Sequence, residues 1–237
     1  MIDVIMFPYA GSIGYAYQKI LSYFNRKRYR IHMMDLNGRG ERMEYPKYHS
    51  WNQMVEDMFH RTQKIISNAG NKYVLFGHSM GSKIAYDVYL KIVANEMIPP
   101  QCIFFSGCQI PSLENNYGEL YSLPEDEFEK EYIELGGVPK EVLQNQDFKE
   151  IIFESIKEDV KLLTQYRPKR NKIKDKVVVL NGDEDEISEK SDWKEQCEDL
   201  VYRMYNGNHF FIFQSGREVV SEICGLIDGQ AKKYASI

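Results

Sequence analysis

The stretch Tyr73-Val74-Leu75-Phe76-Gly77-His78-Ser79-Met80-Gly81 decides the fold. Its first four residues form an apolar run that reads as a buried strand. Beyond it, from Lys83 to Asn95, Ile84, Ala85, Val88, Tyr89, Ile92 and Val93 recur at helical spacing. G-x-S-x-G between a strand and a helix is the setting of a nucleophile elbow, a strand-to-helix turn too sharp for bulky neighbours. Gly77 and Gly81 remove side chains two residues to either side of Ser79, which leaves the serine hydroxyl above the end of the sheet.

Strand and helix patterns alternate outward from this centre. Val4-Ile5-Met6-Phe7 is an N-terminal strand, followed by the small-residue loop Tyr9-Ala10-Gly11-Ser12-Ile13-Gly14 and a helix expected over about Tyr15–Phe24. Arg30–Asp35 reads as a second strand. Ser50-Trp51-Asn52-Gln53 matches a capping box, with Val55, Met58, Phe59, Thr62, Ile65 and Ile66 along one helix face and Gly70 placed to end it. Cys102-Ile103-Phe104-Phe105 is the strand after the elbow helix. Between about 111 and 166 the rhythm breaks into helical segments only, over Pro124–Leu135, Lys140–Leu143 and Asp147–Gln165, punctuated by Gly136-Gly137 and Pro139. Phe128, Tyr132, Ile133, Val142, Leu143, Phe148, Ile152, Phe153, Ile156, Val160 and Leu163 make this segment too apolar for a linker. It reads as a helical lid packed over the sheet edge. Strand Lys176–Leu180, a polar helix around Lys190–Cys197, strand Asp199–Tyr205 and helix Glu218–Lys232 restore the alternation. The expected architecture is α/β: a mostly parallel, doubly wound sheet in a single domain over 1–237, with the lid inserted at about 111–166.

With 237 residues, 43% of them hydrophobic, the chain is long enough for one sizeable core. Thirty basic against thirty-five acidic residues leave a net charge of −5, with no basic excess to suggest nucleic acid. Cys102, Cys108, Cys197 and Cys224 are scattered, without metal-ligand spacing, and read as buried free thiols suited to a reducing compartment. The sequence shows neither a leader pattern ahead of the first strand nor a span long enough for a membrane helix. A cytoplasmic protein without metal, cofactor or membrane partner is expected.

A serine hydroxyl needs a base within hydrogen-bond reach. In hydrolases built on this elbow the order along the chain is serine, acid, histidine, the last two in loops after late strands. Of five histidines, His32 lies in a strand, His49 beside a cap and His60 in a helix, while the His78 side chain should point away from Ser79. His209 stands in a loop after the last strand and is the candidate base. Asp183 and Asp185 both flank the turn after strand 176–180. The spacing from Gly182 favours Asp185 as the acid, with Asp183 the alternative. The oxyanion hole should use the backbone N–H of Met80 and of Ala10, where small residues let the backbone approach.

Phe7-Pro8-Tyr9-Ala10-Gly11, Gly38-Arg39-Gly40-Glu41-Arg42, the elbow, Leu135-Gly136-Gly137-Val138-Pro139 and His209-Phe210-Phe211 together resemble the type II thioesterases of nonribosomal peptide and polyketide synthesis. These are α/β-hydrolases, and the resemblance spans the chain. It implies hydrolysis of acyl or aminoacyl thioesters on the phosphopantetheine arm of carrier proteins, with Ser79 as nucleophile, His209 as base, Asp185 as acid, and Ala10 and Met80 at the oxyanion hole. Two departures from the family pattern stand beside the site: Ser82, and Asn206-Gly207-Asn208 in place of a glycine pair. Arg39 and Arg42 belong to a matching motif for which the sequence supplies no physical role. Esters and thioesters are not separated by the triad, so a carboxylesterase or acyl-CoA hydrolase is the nearest rival, and a silent synthetase-binding protein a further one. The basic clusters Arg26-Lys27-Arg28 and Lys169, Arg170, Lys172, Lys174 read first as solvated surface and second as docking sites for an acidic carrier.

Overall fold

The computed structural model describes residues 1–12, 16–68, 72–113, 116–138, 140–186 and 193–229. Among them β1 (Ile2–Phe7), β2 (Tyr29–Met33), β3 (Tyr73–His78), β4 (Ile103–Ser106), β5 (Val177–Gly182) and β6 (Leu200–Tyr205) form a six-stranded sheet in the order β2-β1-β3-β4-β5-β6. Every pairing is parallel. The helices are α1 (Gln18–Leu21), α2 (Trp51–Asn68), α3 (Met80–Ala94), α4 (Tyr117–Ser122), α5 (Glu125–Glu134), α6 (Lys140–Leu143), α7 (Gln146–Leu163), α8 (Trp193–Gln196), α9 (Phe211–Gln214) and α10 (Gly216–Ile227). None is long and apolar enough to cross a membrane.

Alternate residues of the central strands feed two cores. Ile5, Phe7, Leu75, Ile103, Phe105, Val177 and Val179 pack with Trp51, Met54 and Met58 of α2 and with Ile84, Val88 and Ile92 of α3. Val4, Met6, Val74, Phe76, Phe104, Val178 and Leu180 face Ile20 and Leu21 of α1, Phe211 of α9 and Val219, Val220 and Ile223 of α10. Strands covered on both faces have no polar side to show, which is why β3, β4 and β5 read as unbroken apolar runs. Each fully buried Ile, Leu or Phe contributes roughly 1.5–3 kcal/mol.

The strand order reverses between β1 and β3. Loops leaving the carboxyl ends of these two neighbours diverge and open a crevice, the place where doubly wound sheets bind ligands. Phe7 is paired with Gly77 at that point. The loop after β1 and the Ser79 turn after β3 are therefore brought side by side by topology alone.

Several boundaries differ from expectation. The first helix is short, Gln18–Leu21, with residues 13–15 outside those described. Helix α3 begins immediately at Met80 rather than at Lys83, and Val93 lies on its exposed side, 48% accessible. Ser50 caps α2 by accepting a hydrogen bond from Gln53 N (3.1 Å), but Gln53 Oε1 accepts from His49 N (2.8 Å) instead of closing the box on Ser50. Gly70, Pro139, the start of the 190–197 helix and residues 230–232 of the last helix lie outside the described residues. Two short helices, α4 and α9, were not expected; each is too brief to establish a period, and α4 contains Gly118.

The insertion between β4 and β5 has its own small core of Phe128, Val138, Phe153, Ile156 and Val160. Phe148 and Ile133, expected to pack, are 59% and 38% exposed. The insertion sits over the sheet edge formed by the carboxyl ends of the strands. A Cβ on Gly11, after β1, would collide with the Ile156 side chain of α7. Gly136 and Gly137 likewise lie against Asn208 and the Phe210 ring, after β6.

Candidate active site

Ser79 occupies φ 53°, ψ −120°, a region L-residues avoid and the signature of a strained turn. Its N–H is tied to Ser106 O of β4 at 2.8 Å. A Cβ at Gly77 would overlap the backbone of Gly81 and Ser82, and one at Gly81 would come within 2.5 Å of Phe7 O and 3.0 Å of Pro8 O. Both glycines are thus required by backbone, which cannot move aside as a side chain can. His78 and Met80 are buried while Ser79 keeps partial exposure. Ser82, the departure noted in the sequence, donates to Gly77 O (2.8 Å) and accepts from Ser106 N (3.2 Å), so its hydroxyl ties the turn to β4.

Asp185 and His209 meet from different loops. Asp185 follows β5, His209 follows β6, and His209 Nδ1 lies 2.9 Å from Asp185 Oδ2 with both side chains almost fully buried. Asp183, the alternative acid, is exposed and accepts from Gly207 N at 2.9 Å. It shapes the loop that carries His209 without touching the imidazole. Gly182 allows those two loops to touch, since a Cβ there would reach Asn208 O at 2.5 Å.

His78 points away from the nucleophile, as expected, with Nδ1 2.9 Å from Ser106 Oγ. Its ring centroid is 5.1 Å from that of His209. Burial, reinforced by His209, pushes the His78 pKa well below the ordinary imidazole range, so it is a neutral wall of the site. Gly107, at φ 55°, makes room for both rings; a Cβ there would lie 2.5 Å from His78 Cε1 and 3.3 Å from His209 Cε1. Ser79 is thereby hung from the last residue of β4, and His209 rests on the next one.

Candidate oxyanion donors follow from an accounting of N–H groups. Met80 opens α3, so its N–H has no partner one turn back in the helix. In the loop after β1, Gly11 N donates to Asp159 Oδ2 (2.8 Å) and Ser12 N to Tyr9 O (3.0 Å). Ala10 N–H has no acceptor among the described residues. Gly81 packs on Phe7 O and Pro8 O, which holds this loop against the first turn of α3.

The Gly38-Arg39-Gly40-Glu41-Arg42 motif now has a physical account. Arg39 reaches Asp159 of α7 through two bonds of 2.8 Å, both groups buried. Arg42 lies over the Tyr45 ring (4.0 Å) and donates to Asn37 Oδ1 (2.6 Å), which shapes the loop after β2. Sequence reading missed Asp159 because nothing local marks one acidic residue among many on a helix. It also missed Lys83, one turn beyond Ser79. Lys83 is 6% exposed, lies 4.6 Å over the Tyr166 ring and 5.7 Å from that of Tyr117, and burial pushes its pKa down to about 8. The basic clusters are partly committed within the chain, Arg28 to Asp228 and Lys169 to Asp87.

The sequence profile of the family described as "Thioesterase domain" matches residues 3–230. The gramicidin S biosynthesis protein GrsT of Aneurinibacillus migulanus is 26% identical over 222 residues, covering 92% of this chain and 85% of GrsT. The medium-chain S-acyl fatty acid synthase thioesterase of Rattus norvegicus is 24% identical over 221 residues, covering 91% and 83%. Among solved structures, ClbQ from the colibactin NRPS/PKS pathway superposes with a TM-score of 0.84 at 25% identity, covering 97% of this chain and 98% of ClbQ. YbtT, a type II thioesterase from the yersiniabactin NRPS/PKS pathway, superposes at 0.81 with 19% identity, covering 98% and 94%. The chain belongs to the thioesterase domain family, as a hydrolase of thioesters in the α/β-hydrolase fold.

Proposed function

We propose that the chain is a type II thioesterase that clears acyl and aminoacyl groups from the phosphopantetheine arm of carrier proteins in nonribosomal peptide or polyketide synthesis. Similarity to GrsT and ClbQ over nine-tenths or more of the chain supports that setting. The observations that carry the chemistry are the buried 2.9 Å contact of His209 with Asp185 and a serine held at φ 53° in the turn after β3. Residues 1–237 act as one hydrolase domain, with α4–α7 as its lid.

In this reading His209 Nε2 takes the Ser79 proton as the hydroxyl oxygen bonds to the thioester carbonyl carbon. The tetrahedral oxyanion rests on the N–H groups of Ala10 and Met80. Collapse breaks the C–S bond, and His209 returns the proton to the departing pantetheine sulfur. Water then attacks the acyl-serine with His209 as base, releasing the free acid and restoring Ser79. Asp185 orients the imidazole and stabilises its charged form. The chemistry requires no cofactor, since the phosphopantetheine arrives on the substrate. The four cysteines, three of them buried and none disulfide-bonded, support a reducing, cytoplasmic setting.

The test is deacylation of a phosphopantetheinylated carrier protein loaded with acetyl and with longer acyl groups, followed by intact-mass spectrometry. Wild-type protein should clear the carrier faster than it hydrolyses free acyl-CoA, and Ser79→Ala should abolish turnover while leaving the fold intact. Full activity of Ser79→Ala would refute the assignment of the nucleophile. Slow carrier turnover beside brisk cleavage of aryl esters would move the protein to the carboxylesterase reading.

A further inference from the structure

The loop Tyr9–Ser12 is held by a buried ion pair that comes from elsewhere in the chain. Asp159 Oδ2 accepts from Gly11 N at 2.8 Å and from Arg39 Nη1 at 2.8 Å, while Oδ1 accepts from Arg39 Nη2 at 2.8 Å. The same Nη1 also donates to Ser12 O at 3.3 Å. Arg39 and Asp159 are 6% and 1% exposed. One turn earlier on α7, Ile156 fills the space a side chain at Gly11 would need, and Gly11 itself holds φ +75°. Both polar groups of the turn, the Gly11 N–H and the Ser12 carbonyl, are thus engaged by one ion pair. Ala10 N–H has no acceptor among the described residues.

A buried ion pair adds little net stability over apolar residues of equal volume, since desolvating two charges costs about what their attraction returns. What a bidentate fork does supply is geometry. An oxyanion donor works only when it is fixed before the reaction, at the place where charge will develop. We infer that Arg39 and Asp159 are positioning residues for the oxyanion hole, holding the Ala10 N–H in place and making that placement depend on α7 of the insertion being docked. The inference rests on the proposed role of Ala10. It gives the loop after β2 and the last helix of the insertion a part in the reaction, although neither contributes a group to it.

The experiment compares wild type with Arg39→Lys, Asp159→Asn and the double variant Arg39→Met/Asp159→Leu. Hydrolysis of a small acyl thioester is measured, together with binding of an alkyl boronate that forms a tetrahedral adduct on serine. Loss of a fixed donor typically costs a hundredfold or more, so each variant should lose about 10- to 100-fold in kcat with KM within about threefold, and boronate affinity should fall in step. The apolar double variant removes both charges together, so it should lose no more thermal stability than the unpaired Gly11 N–H and Ser12 carbonyl account for, and stay folded while kcat remains low. A double variant that is stable and fully active would overturn the inference, as would variants that lose activity only in proportion to the fraction unfolded. Arg39→Lys keeps the charge and loses the fork, so wild-type kcat and boronate affinity there would also overturn it. Wild-type turnover that persists in Ser79→Ala would instead undo the underlying reading, an outcome distinguishable from all of these.

Discussion

Lys83 is a buried cation that no anion among the described residues touches; burial lowers its pKa, and nearby Cys108 and Asp87 offset only part of that. Its ammonium faces the rings of Tyr166 and Tyr117 at 4.6 and 5.7 Å and makes no hydrogen bond to a described residue. Burial lowers its pKa from 10.5 to about 8. At about 1.36 kcal/mol per pH unit, keeping this lysine charged costs the folded state about 3 kcal/mol. The cation–π contacts limit that cost, and their removal would forfeit roughly 0.5–2 kcal/mol. Lys83→Met should therefore stabilise the protein at pH 7 by about 1–3 kcal/mol, or several degrees in Tm for a chain of this size. The pH dependence is the sharper test. Because the folded pKa is depressed, the unfolded chain binds the extra proton between about pH 8 and 10.5. The penalty in the wild type is complete below pH 8 and fades as pH rises through that window, so the advantage of Lys83→Met should shrink to near zero by pH 10.5. Urea denaturation of both proteins at intervals from pH 7 to 10.5 reads the difference directly, with the tyrosines common to both cancelling. A stability difference that is flat with pH, or a variant less stable at pH 7, would refute the account of Lys83 as a charge whose burial outweighs its compensation.

Other outcomes follow from the same geometry. Asp185→Asn should lower kcat about a thousandfold or more by releasing the imidazole, whereas Asp183→Asn, which disturbs only the Gly207 N–H contact, should cost less than about tenfold; steady-state kinetics on an acyl-carrier substrate would reverse the roles of the two if the second fell further. Gly81→Ala would bring a methyl within 2.5 Å of Phe7 O, so both Tm and kcat should fall, and a fully active, equally stable variant would contradict the steric reading of the elbow. Asp87, 2% exposed, accepts from Trp51 Nε1 at 2.8 Å and Lys169 Nζ at 2.7 Å. Asp87→Ala should destabilise by about 2–4 kcal/mol in urea melts, with turnover of the remaining folded protein unchanged.

The sequence alone determined the parallel sheet, because strands buried on both faces must be apolar throughout and their period is visible locally. It also determined the elbow, since Gly77 and Gly81 answer a steric demand that lies within five consecutive residues. The place of His209 was legible for a similar reason: it stands in a loop directly after a strand. Among the short helices, α6 was legible because Gly136-Gly137 and Pro139 set it off in the sequence, but two others were not. Helices α4 and α9 span six and four residues, too few for a helical period to show against the background. The choice between Asp183 and Asp185 needed the structure, because two acids two residues apart in a turn differ only in where their side chains end up. One is buried on the imidazole and the other turned toward Gly207. The role of Arg39 was hidden most completely. Its partners Ser12 and Asp159 lie 27 residues before and 120 residues after it, on three elements that share no sequence pattern. Local propensity and periodicity are short-ranged, and they reveal which residues form strands, turns and helix faces. Only the folded chain decides which distant charges meet, because that depends on the strand order and on where the insertion comes to rest over the ends of β1 and β6.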